Sequence, residues 1–466
     1  MNPETPAFLS PAPETLWREP IAVLGYGAEG KSTLAHLRRW GYKDIVVLDK
    51  AAPAEPLPQG VRGVFGAAYL EALAGIKTAF RSPGVRPFVP EIEAFRDRGG
   101  ALTSQVEAAF ALLGRHRIIG VTGTAGKGTC CSLLSAMLQE AALPHRLAGN
   151  IGVPPLDALY GEGGLEARAW LLLELSSFQL STLAESPRLA VALRTTSEHL
   201  DWHASRDEYW DHKANLTRFQ EPGDACVYFA DAEGSREIGL RGRGRKIAVG
   251  AGASADVRLT EDAVDWPAGG VRISLDETRM TGAFNLENVG AAAAAARELG
   301  ASPAAVRAGA RAFSPLEHRI EFVREIEQGG RRVRYYNDSY ATRPEATLAA
   351  VRALNRGDVG LILGGSEKFA DFSEMAAALA GAPHLRAVAL IGQTAPRLEE
   401  ELRRAGALAG RAWRRCESLE EALEFLRGEI AAGAILLSPA CASFGLFANY
   451  KERGYAFKKL VNALPG

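Results

Sequence analysis

Apolar residues along the chain cluster in short runs that alternate with stretches of helical periodicity. The first run, "IAVLGYG" from Ile21, ends in a glycine turn; a helical pattern over Lys31–Trp40 comes next, and the run "DIVVLDK" closes on Asp49. Continuous apolar runs bounded by turns predict strands buried on both faces, and with a helix between them they predict a parallel, doubly wound sheet. "TAFRSPGV" adds another strand end, turned at Pro83–Gly84.

The pattern then restarts. "HRIIGVTG" predicts a strand, "TAGKG" a loop and Thr129–Ala142 a helix. "AWLLLELSSFQL" reads as a buried strand ending near Glu174, and "LAVALRTTSEHLDWH" as another ending before His199. From Gly223 to Met280 the β signal is weaker, carried by "DACVYFA" and "VRISLD"; "NVGAAAAAARELG" predicts a helix stopped by Gly300. Beyond "FSPLEHRIEFV" lies a third set of strands in "RVRYYNDS", "VGLILGGSEK", "AVALIGQT" and "AILLSPACASF". The expected fold is α/β with three domains, each built on a mostly parallel sheet: residues 1–105, 106–315 and 316–466. The carboxyl ends of such strands are where ligands bind.

Composition narrows this picture by exclusion. A chain of 466 residues is longer than one core organises. Lys and Arg total 54 against 55 Asp and Glu, so no basic excess points to nucleic acid. The five cysteines are odd in number and lack C-x-x-C spacing, which predicts reduced thiols in a cytoplasmic protein. No apolar run is long enough to span a bilayer, and no membrane partner is expected. The proline-rich start "MNPETPAFLSPAPETLWREP" lacks the segments of a signal peptide and is expected to be a loose arm.

Two glycine-rich stretches carry the candidate chemistry. "GYGAEGKST" satisfies G-x-G-x-x-G through Gly25, Gly27 and Gly30, and also the strict P-loop pattern through Gly25, Gly30, Lys31 and Ser32. "GVTGTAGKGT" misses the strict pattern because Gly128 separates Lys127 from Thr129. Glycine turns that lead into helix N-termini present backbone N–H groups to anions, so either stretch suits a phosphate. The residues downstream of each stretch separate them. The first leads to a strand ending in Asp49, placed to accept hydrogen bonds from a ribose or base. The second is accompanied by Glu174, a candidate Mg²⁺ ligand of Walker-B type, and by Lys127, able to neutralise the β- and γ-phosphates. ATP is therefore expected at the second loop and a different nucleotide-like ligand at the first, with Lys31 a solvated helix lysine.

The ordered motifs "TGTAGKGT", "GNIG" (Gly149–Gly152), "ELSSFQL" (Glu174–Leu180), "SEHLDWH" (Ser197–His203), "GAFNLENV" (Gly282–Val289), "EHR" (Glu317–Arg319), "YNDSYAT" (Tyr336–Thr342), "GGSEK" (Gly364–Lys368) and "LSPACASF" (Leu437–Phe444) give the chain a resemblance to the Mur ligase family. It runs over essentially everything after the N-terminal arm, and within the family it is nearest the branch that adds D-glutamate in peptidoglycan synthesis. It implies a Rossmann-like N-terminal domain for the UDP end of the substrate, a central P-loop-type ATPase and a Rossmann-like C-terminal domain for the amino acid. It further implies ATP and Mg²⁺, the small-molecule substrates UDP-N-acetylmuramoyl-L-alanine and glutamate, an acyl-phosphate intermediate and a monomer.

By motif position the resemblance implies that Gly123, Thr124, Ala125, Gly126, Lys127, Gly128 and Thr129 wrap the ATP phosphates, with Asn285, Asn288, Arg319 and Asp338 around the nucleotide. Thr129, Glu174, His199 and Lys213, the last as a carbamate, are implied for metal. Lys127, Glu174, His199 and Lys213 form the catalytic set. Gly25, Gly27, Asp49, Ser82, Gly84, Ser104 and Asn150 are implied for the UDP-substrate. Thr342, Arg343, Lys368, Ser443 and Tyr450 are implied for the amino acid; the alternative for Ser443 is a helix N-cap.

Three positions depart from the family pattern. Gly128 stands directly after the loop lysine, as in the folylpolyglutamate synthase branch. Tyr340 stands where the D-glutamate ligases usually carry lysine, and Arg343 where they carry asparagine, so Arg343 is expected to restore the lost cation. Gly445 and Leu446 replace a common acid–amide pair. The competing functions are a related ligase with another acceptor (L-glutamate, or a folylpolyglutamate synthase-like enzyme), a dinucleotide-dependent oxidoreductase argued from "GYGAEG" and Asp49, and a non-catalytic sensor of cell-wall precursors.

Overall fold

The longest apolar runs become the central strands of three sheets. The computed structural model describes residues 13–465 except 197, 199–201, 281, 283, 329–330, 356 and 368–369. Strands β1 (Ile21–Leu24), β2 (Ile45–Asp49), β3 (Arg62–Phe65), β4 (Thr78–Arg81) and β5 (Ala101–Thr103) form a parallel sheet in the order β3-β2-β1-β4-β5. Strand order reverses between β1 and β4, so the turns after these two strands open the crevice where doubly wound sheets take ligands.

The second sheet contains β6 (Ile118–Thr122), β7 (His145–Gly149), β8 (Trp170–Glu174), β9 (Leu189–Ala192), β10 (Ala225–Phe229), β11 (Arg245–Gly250), β12 (Val257–Leu259), β13 (Ala263–Trp266) and β14 (Val271–Ser274). Its order is β14-β13-β12-β11-β10-β9-β6-β8-β7, parallel from β7 to β12 and antiparallel beyond. The loop after β6 lies at its switch point, between strands that run off in opposite directions. The third sheet contains β15 (Glu321–Gln328), β16 (Arg331–Asn337), β17 (Asp358–Gly364), β18 (Leu385–Ile391), β19 (Ala412–Cys416) and β20 (Gly433–Leu437). Its order is β15-β16-β20-β17-β18-β19, with β15 alone antiparallel to its neighbour.

The chain divides into two compact units. The first holds the first two sheets, in the chain up to Glu277 together with Glu287–Phe313; the second holds the third sheet, in Thr278–Leu286 and the chain from Ser314 on. Within the first unit one apolar core runs from Val23, Val47 and Phe80 to Leu171, Leu173 and Ala190, joining the two sheets. The second unit buries both faces of its sheet, under Leu361, Leu363 and Leu436 on one side and Ile362, Ile435 and Phe457 on the other.

Three expectations need correction. The helix read over Lys31–Trp40 spans Ala28–Arg39, and that read over Thr129–Ala142 spans Lys127–Glu140. In both, the polar first turn after a glycine turn hides the true start from an apolar pattern. The segment from Pro13 is not loose. Trp17 stacks on Trp40 with ring centroids 5.5 Å apart, and the Tyr42 hydroxyl donates to the Pro13 carbonyl at 2.7 Å. All five cysteines are buried free thiols, and no helix among the described residues is long and apolar enough to cross a membrane.

Candidate active site

The loop after β6 is shaped by two glycines. Gly123 (φ 158°) and Gly126 (φ 82°) turn the backbone, and helix Lys127–Glu140 starts at the lysine itself. A Cβ at Gly123 would lie 2.7 Å from the Leu193 Cβ, and one at Gly126 2.5 Å from Asn288 Oδ1. Lys127 Nζ donates to the carbonyls of Gly123 and Thr124, both at 2.9 Å. Lys213 Nζ reaches the same Gly123 carbonyl and Thr122 Oγ1, both at 3.0 Å, although its residue is only 1 % exposed. Its Nζ also lies 4.8 Å from the centroid of the Tyr209 ring. Burial, with Lys127 nearby, pushes Lys213 well below the usual lysine range. The Lys127 ammonium, the buried Lys213 amine and a helix N-terminus thus converge on one loop, and the first and last of these are complementary to a polyphosphate.

Glu174 is buried at the end of β8, in register with Val121 of β6, which brings its carboxylate beside the loop. Asn150 donates to it twice, through Nδ2 to Oε1 at 2.8 Å and through its backbone N–H to the carbonyl at 2.9 Å. Thr124 accepts from the Thr196 N–H at 3.0 Å and meets the Tyr209 hydroxyl at 3.1 Å. Ala125 is exposed at the loop's tip, while Gly128 and Thr129 lie in the first helical turn. His199 lies outside the described residues. Two further histidines stand nearby: His203 pairs with the Ser177 hydroxyl at 2.9 Å and with the His212 ring at 3.2 Å.

The other glycine stretch has a different geometry. Helix Ala28–Arg39 is already under way before Lys31, whose exposed side chain lies 5.9 Å over the Tyr26 ring. The Ser32 hydroxyl donates to Asp157 Oδ1 at 2.7 Å. The two residues that complete the strict P-loop pattern are therefore turned to other partners. Gly30 serves close packing, since a Cβ there would sit 2.0 Å from the Gly25 carbonyl oxygen. In front of this turn lies a cleft of about 600 Å³, whose lining includes Gly25, Gly27, Asp49, Ser82, Gly84 and Arg86. Asp49 accepts from the Tyr26 N–H at 2.6 Å and the Ala51 N–H at 3.0 Å, and the Ser82 hydroxyl donates to the Gly25 carbonyl at 2.9 Å.

Ser104 is not brought to this cleft. It is buried and caps helix Gln105–Leu113, accepting from the Glu107 N–H at 3.2 Å. Asn150 faces Glu174 instead of the cleft. Sequence reading missed Trp202, which also lines the cleft with the Arg86 guanidinium 6.0 Å over its ring. It also missed Arg81, the buried last residue of β4, which donates to the Val85 carbonyl at 3.0 Å and the Phe178 carbonyl at 2.8 Å. With Gln179 donating to Glu29 Oε1 at 2.9 Å, it ties the cleft to helix Ser177–Leu180, just beyond Glu174. A buried arginine in a strand is the signal that was available.

In the second unit the expected residues gather at the carboxyl ends of β16 and β20. Asp338 is buried, accepting from Ser438 Oγ at 2.7 Å and the Ile320 N–H at 3.1 Å; burial raises its pKa to about 7. Thr342 lies further along the same loop, with its N–H on the Tyr340 carbonyl at 2.8 Å. Arg343 is exposed at the start of helix Pro344–Ala353. Ser443 is buried, and the cap of helix Tyr450–Asn462 is Asn449, not Ser443. Tyr450 opens that helix and meets Tyr340 edge-on at 5.0 Å. Asn285 belongs to this unit's Thr278–Leu286 segment, whereas Asn288, packed under Gly126, belongs to the first. Lys368 lies outside the described residues.

Three largely parallel sheets, with a phosphate-type loop at the switch point of the central one, define an α/β nucleotide-binding enzyme. Residues 121–296 match the Mur ligase middle domain, and residues 318–441 match the Mur ligase glutamate ligase domain. The UDP-N-acetylmuramoylalanine–D-glutamate ligase of Symbiobacterium thermophilum is 37 % identical over 462 residues, covering 96 % of this chain and 98 % of that one. The enzyme of the same name from Acetivibrio thermocellus is 35 % identical, covering 95 % and 96 %. The solved MurF ligase of Thermotoga maritima in complex with ADP shares the fold, with a TM-score of 0.59 at 17 % identity and 97 % of each chain covered. The chain belongs to the Mur ligase family. It is accordingly an ATP-dependent amide-forming ligase, and the oxidoreductase and sensor readings fall.

Proposed function

We propose that the protein joins D-glutamate to UDP-N-acetylmuramoyl-L-alanine in the cytoplasm, as a monomer, at the expense of ATP. The observation that carries this reading is the near-full-length similarity to ligases of that name at 35–37 % identity. Residues 1–105 are assigned the UDP end, 106–315 the ATP and 316–466 the amino acid. In the first step an oxygen of the substrate carboxylate attacks the γ-phosphorus, the bond to ADP breaks, and an acyl phosphate forms. In the second the amine of glutamate attacks the acyl carbon, phosphate leaves, and the amine proton is released. A carboxylate is a poor electrophile, so the protein's contribution is positioning and charge stabilisation.

Gly123 to Thr129 present backbone N–H groups to the triphosphate, and Lys127 adds charge. Asn288 supports the loop from below, while Asn285, Arg319 and Asp338 are assigned to the nucleotide by resemblance. The residues beside the loop fit Mg²⁺. Glu174 and the Thr129 hydroxyl are hard oxygen donors, the ligand type that Mg²⁺ takes together with substrate phosphates and water. His199 and a carbamylated Lys213 are assigned to the same metal region. Bound Mg²⁺ would neutralise charge developing on the phosphoryl oxygens. Gly25, Gly27, Asp49, Ser82 and Gly84 are assigned to the UDP carrier, and Thr342, Arg343, Lys368, Ser443 and Tyr450 to glutamate.

Phosphate release with ATP, Mg²⁺, UDP-N-acetylmuramoyl-L-alanine and a panel of amino acids tests the reading. D-glutamate is the expected acceptor; release with L-glutamate alone would replace it, and release with none would overturn the function. Placement of ATP has its own test. Calorimetric titration with a non-hydrolysable ATP analogue is expected to weaken about tenfold or more in Gly126→Ala, where a side chain is strained in the left-handed region. Lys127→Ala is expected to weaken it too, and Lys31→Ala to leave it unchanged. The reverse ranking would move ATP to the first glycine turn.

A further inference from the structure

Arg319 is displayed by an unusual piece of backbone. The residues on both sides of it, His318 (φ 66°) and Ile320 (φ 47°), occupy the left-handed region, which is strained for a non-glycine residue and rarer still for a β-branched one. The surroundings hold this shape in place. The His318 N–H donates to Glu321 Oε2 at 2.9 Å, the Ile320 N–H to Asp338 Oδ1 at 3.1 Å, and the Tyr340 N–H to the His318 carbonyl at 3.0 Å. Gly454 makes room for the His318 ring, since a Cβ there would lie 2.2 Å from its Nδ1. Strain kept in place by several independent contacts concentrates at functional positions.

The Arg319 guanidinium lies 3.9 Å from the centroid of the Tyr340 ring. Tyr340 is braced edge-on by Tyr450, with centroids 5.0 Å apart, and Tyr450 packs against the His318 ring at 5.9 Å. The contacts close a circuit from the strained backbone through two tyrosines to the arginine. A guanidinium stacked on a ring spends its face on the aromatic and keeps its in-plane N–H donors at the edges for an anion.

We propose that Tyr340 is a positioning residue for Arg319, a platform that fixes the guanidinium and leaves its donor edge for an anionic group of the nucleotide. This rests on the proposed assignment of Arg319 to the nucleotide. Tyr340 thus acts by orienting a cation on the segment that precedes β15, not by supplying one to the amino acid.

The test uses the full chain with Tyr340→Phe, Tyr340→Leu and Tyr340→Lys, and its first readout is calorimetric binding of a non-hydrolysable ATP analogue with Mg²⁺, which needs no turnover. Tyr340→Leu is expected to weaken binding roughly fivefold to tenfold, Tyr340→Lys further, and Tyr340→Phe less than twofold. Because Tyr340 is 44 % exposed, thermal midpoints should stay together, separating positioning from folding. In turnover, Tyr340→Leu should raise KM for MgATP more than KM for glutamate, whose assigned Tyr450 loses only an edge contact. Unchanged analogue binding in Tyr340→Leu, or a rise in KM for glutamate alone, overturns the proposal. Wild type that binds the analogue but turns over no glutamate would sink the proposed function, and the binding series would still decide this one.

Discussion

Arg453→Lys is expected to destabilise the unit built on the third sheet by about 3 kcal/mol, the size seen when a buried, fully hydrogen-bonded charge loses its geometry. Arg453 is 1 % exposed. Its Nε donates to Ser339 Oγ at 3.0 Å, one terminal nitrogen to the Ala442 carbonyl at 3.2 Å, and the other to the carbonyls of Ser339 at 2.9 Å and Cys441 at 3.0 Å. One planar fork thus satisfies the loops that leave β16 and β20. A lysine is shorter and places its three donors around a single nitrogen, so at least one carbonyl is left buried without a partner, at about 1–3 kcal/mol each. Burial lowers the Arg453 pKa to about 10, which still leaves it charged at neutral pH. Urea unfolding measures the loss, and amide exchange should locate it at residues 338–343 and 439–443. Thr342 and Ser443 ride on these loops, so KM for glutamate should rise before the fold is lost. A urea midpoint indistinguishable from wild type would mean that water replaces the guanidinium.

The parts of this architecture legible in the sequence are those where the local signal is the physical cause. The β1, β6 and β8 strands are unbroken apolar runs because both faces of a parallel sheet are covered. β3 and β19 escaped because they are edge strands with exposed residues, and "RGVF" and "AWRRC" carry no such run. The two glycine turns differ at their helix starts, which the glycine patterns alone do not show: Lys127 opens its helix, whereas Lys31 arrives after helix Ala28–Arg39 has begun. Ser104 shows the limit. A small polar residue at a strand end looks the same whether it caps a helix or faces a ligand, and only the fold puts it on the Glu107 N–H. Arg81, Arg453 and Trp202 act through partners distant in sequence, or across a cleft that exists only after folding.

Lys213→Met is expected to abolish ligase activity, by about a thousandfold or more, and at the same time to raise the apparent Tm of the protein in CO₂-free buffer by roughly 3–8 °C. The two effects come from the same burial. Lys213 is fully enclosed, and desolvation, followed by the charge of Lys127, holds its pKa well below the ordinary lysine value. The unfolded chain therefore binds the proton more tightly than the folded one. Wild-type stability should rise with pH from the depressed value up to about 10.4, where the unfolded lysine titrates. Methionine keeps the length and removes the penalty, and it leaves no acceptor stranded. The Gly123 carbonyl still receives Lys127 at 2.9 Å, and the Thr122 hydroxyl still donates to the Leu175 carbonyl at 2.7 Å. The stability gap between variant and wild type should thus be widest below the folded-state pKa and close as pH approaches 10. On the proposed assignment this burial serves the chemistry: a neutral amine is the form that adds CO₂ with release of a proton, and the carbamate so formed would be the anion assigned to the metal. Bicarbonate should accordingly raise wild-type activity and leave Lys213→Met unaffected. A variant less stable than wild type at pH 7 would show that the two hydrogen bonds of Lys213 outweigh its desolvation, and would remove the reason to regard this lysine as retained for function.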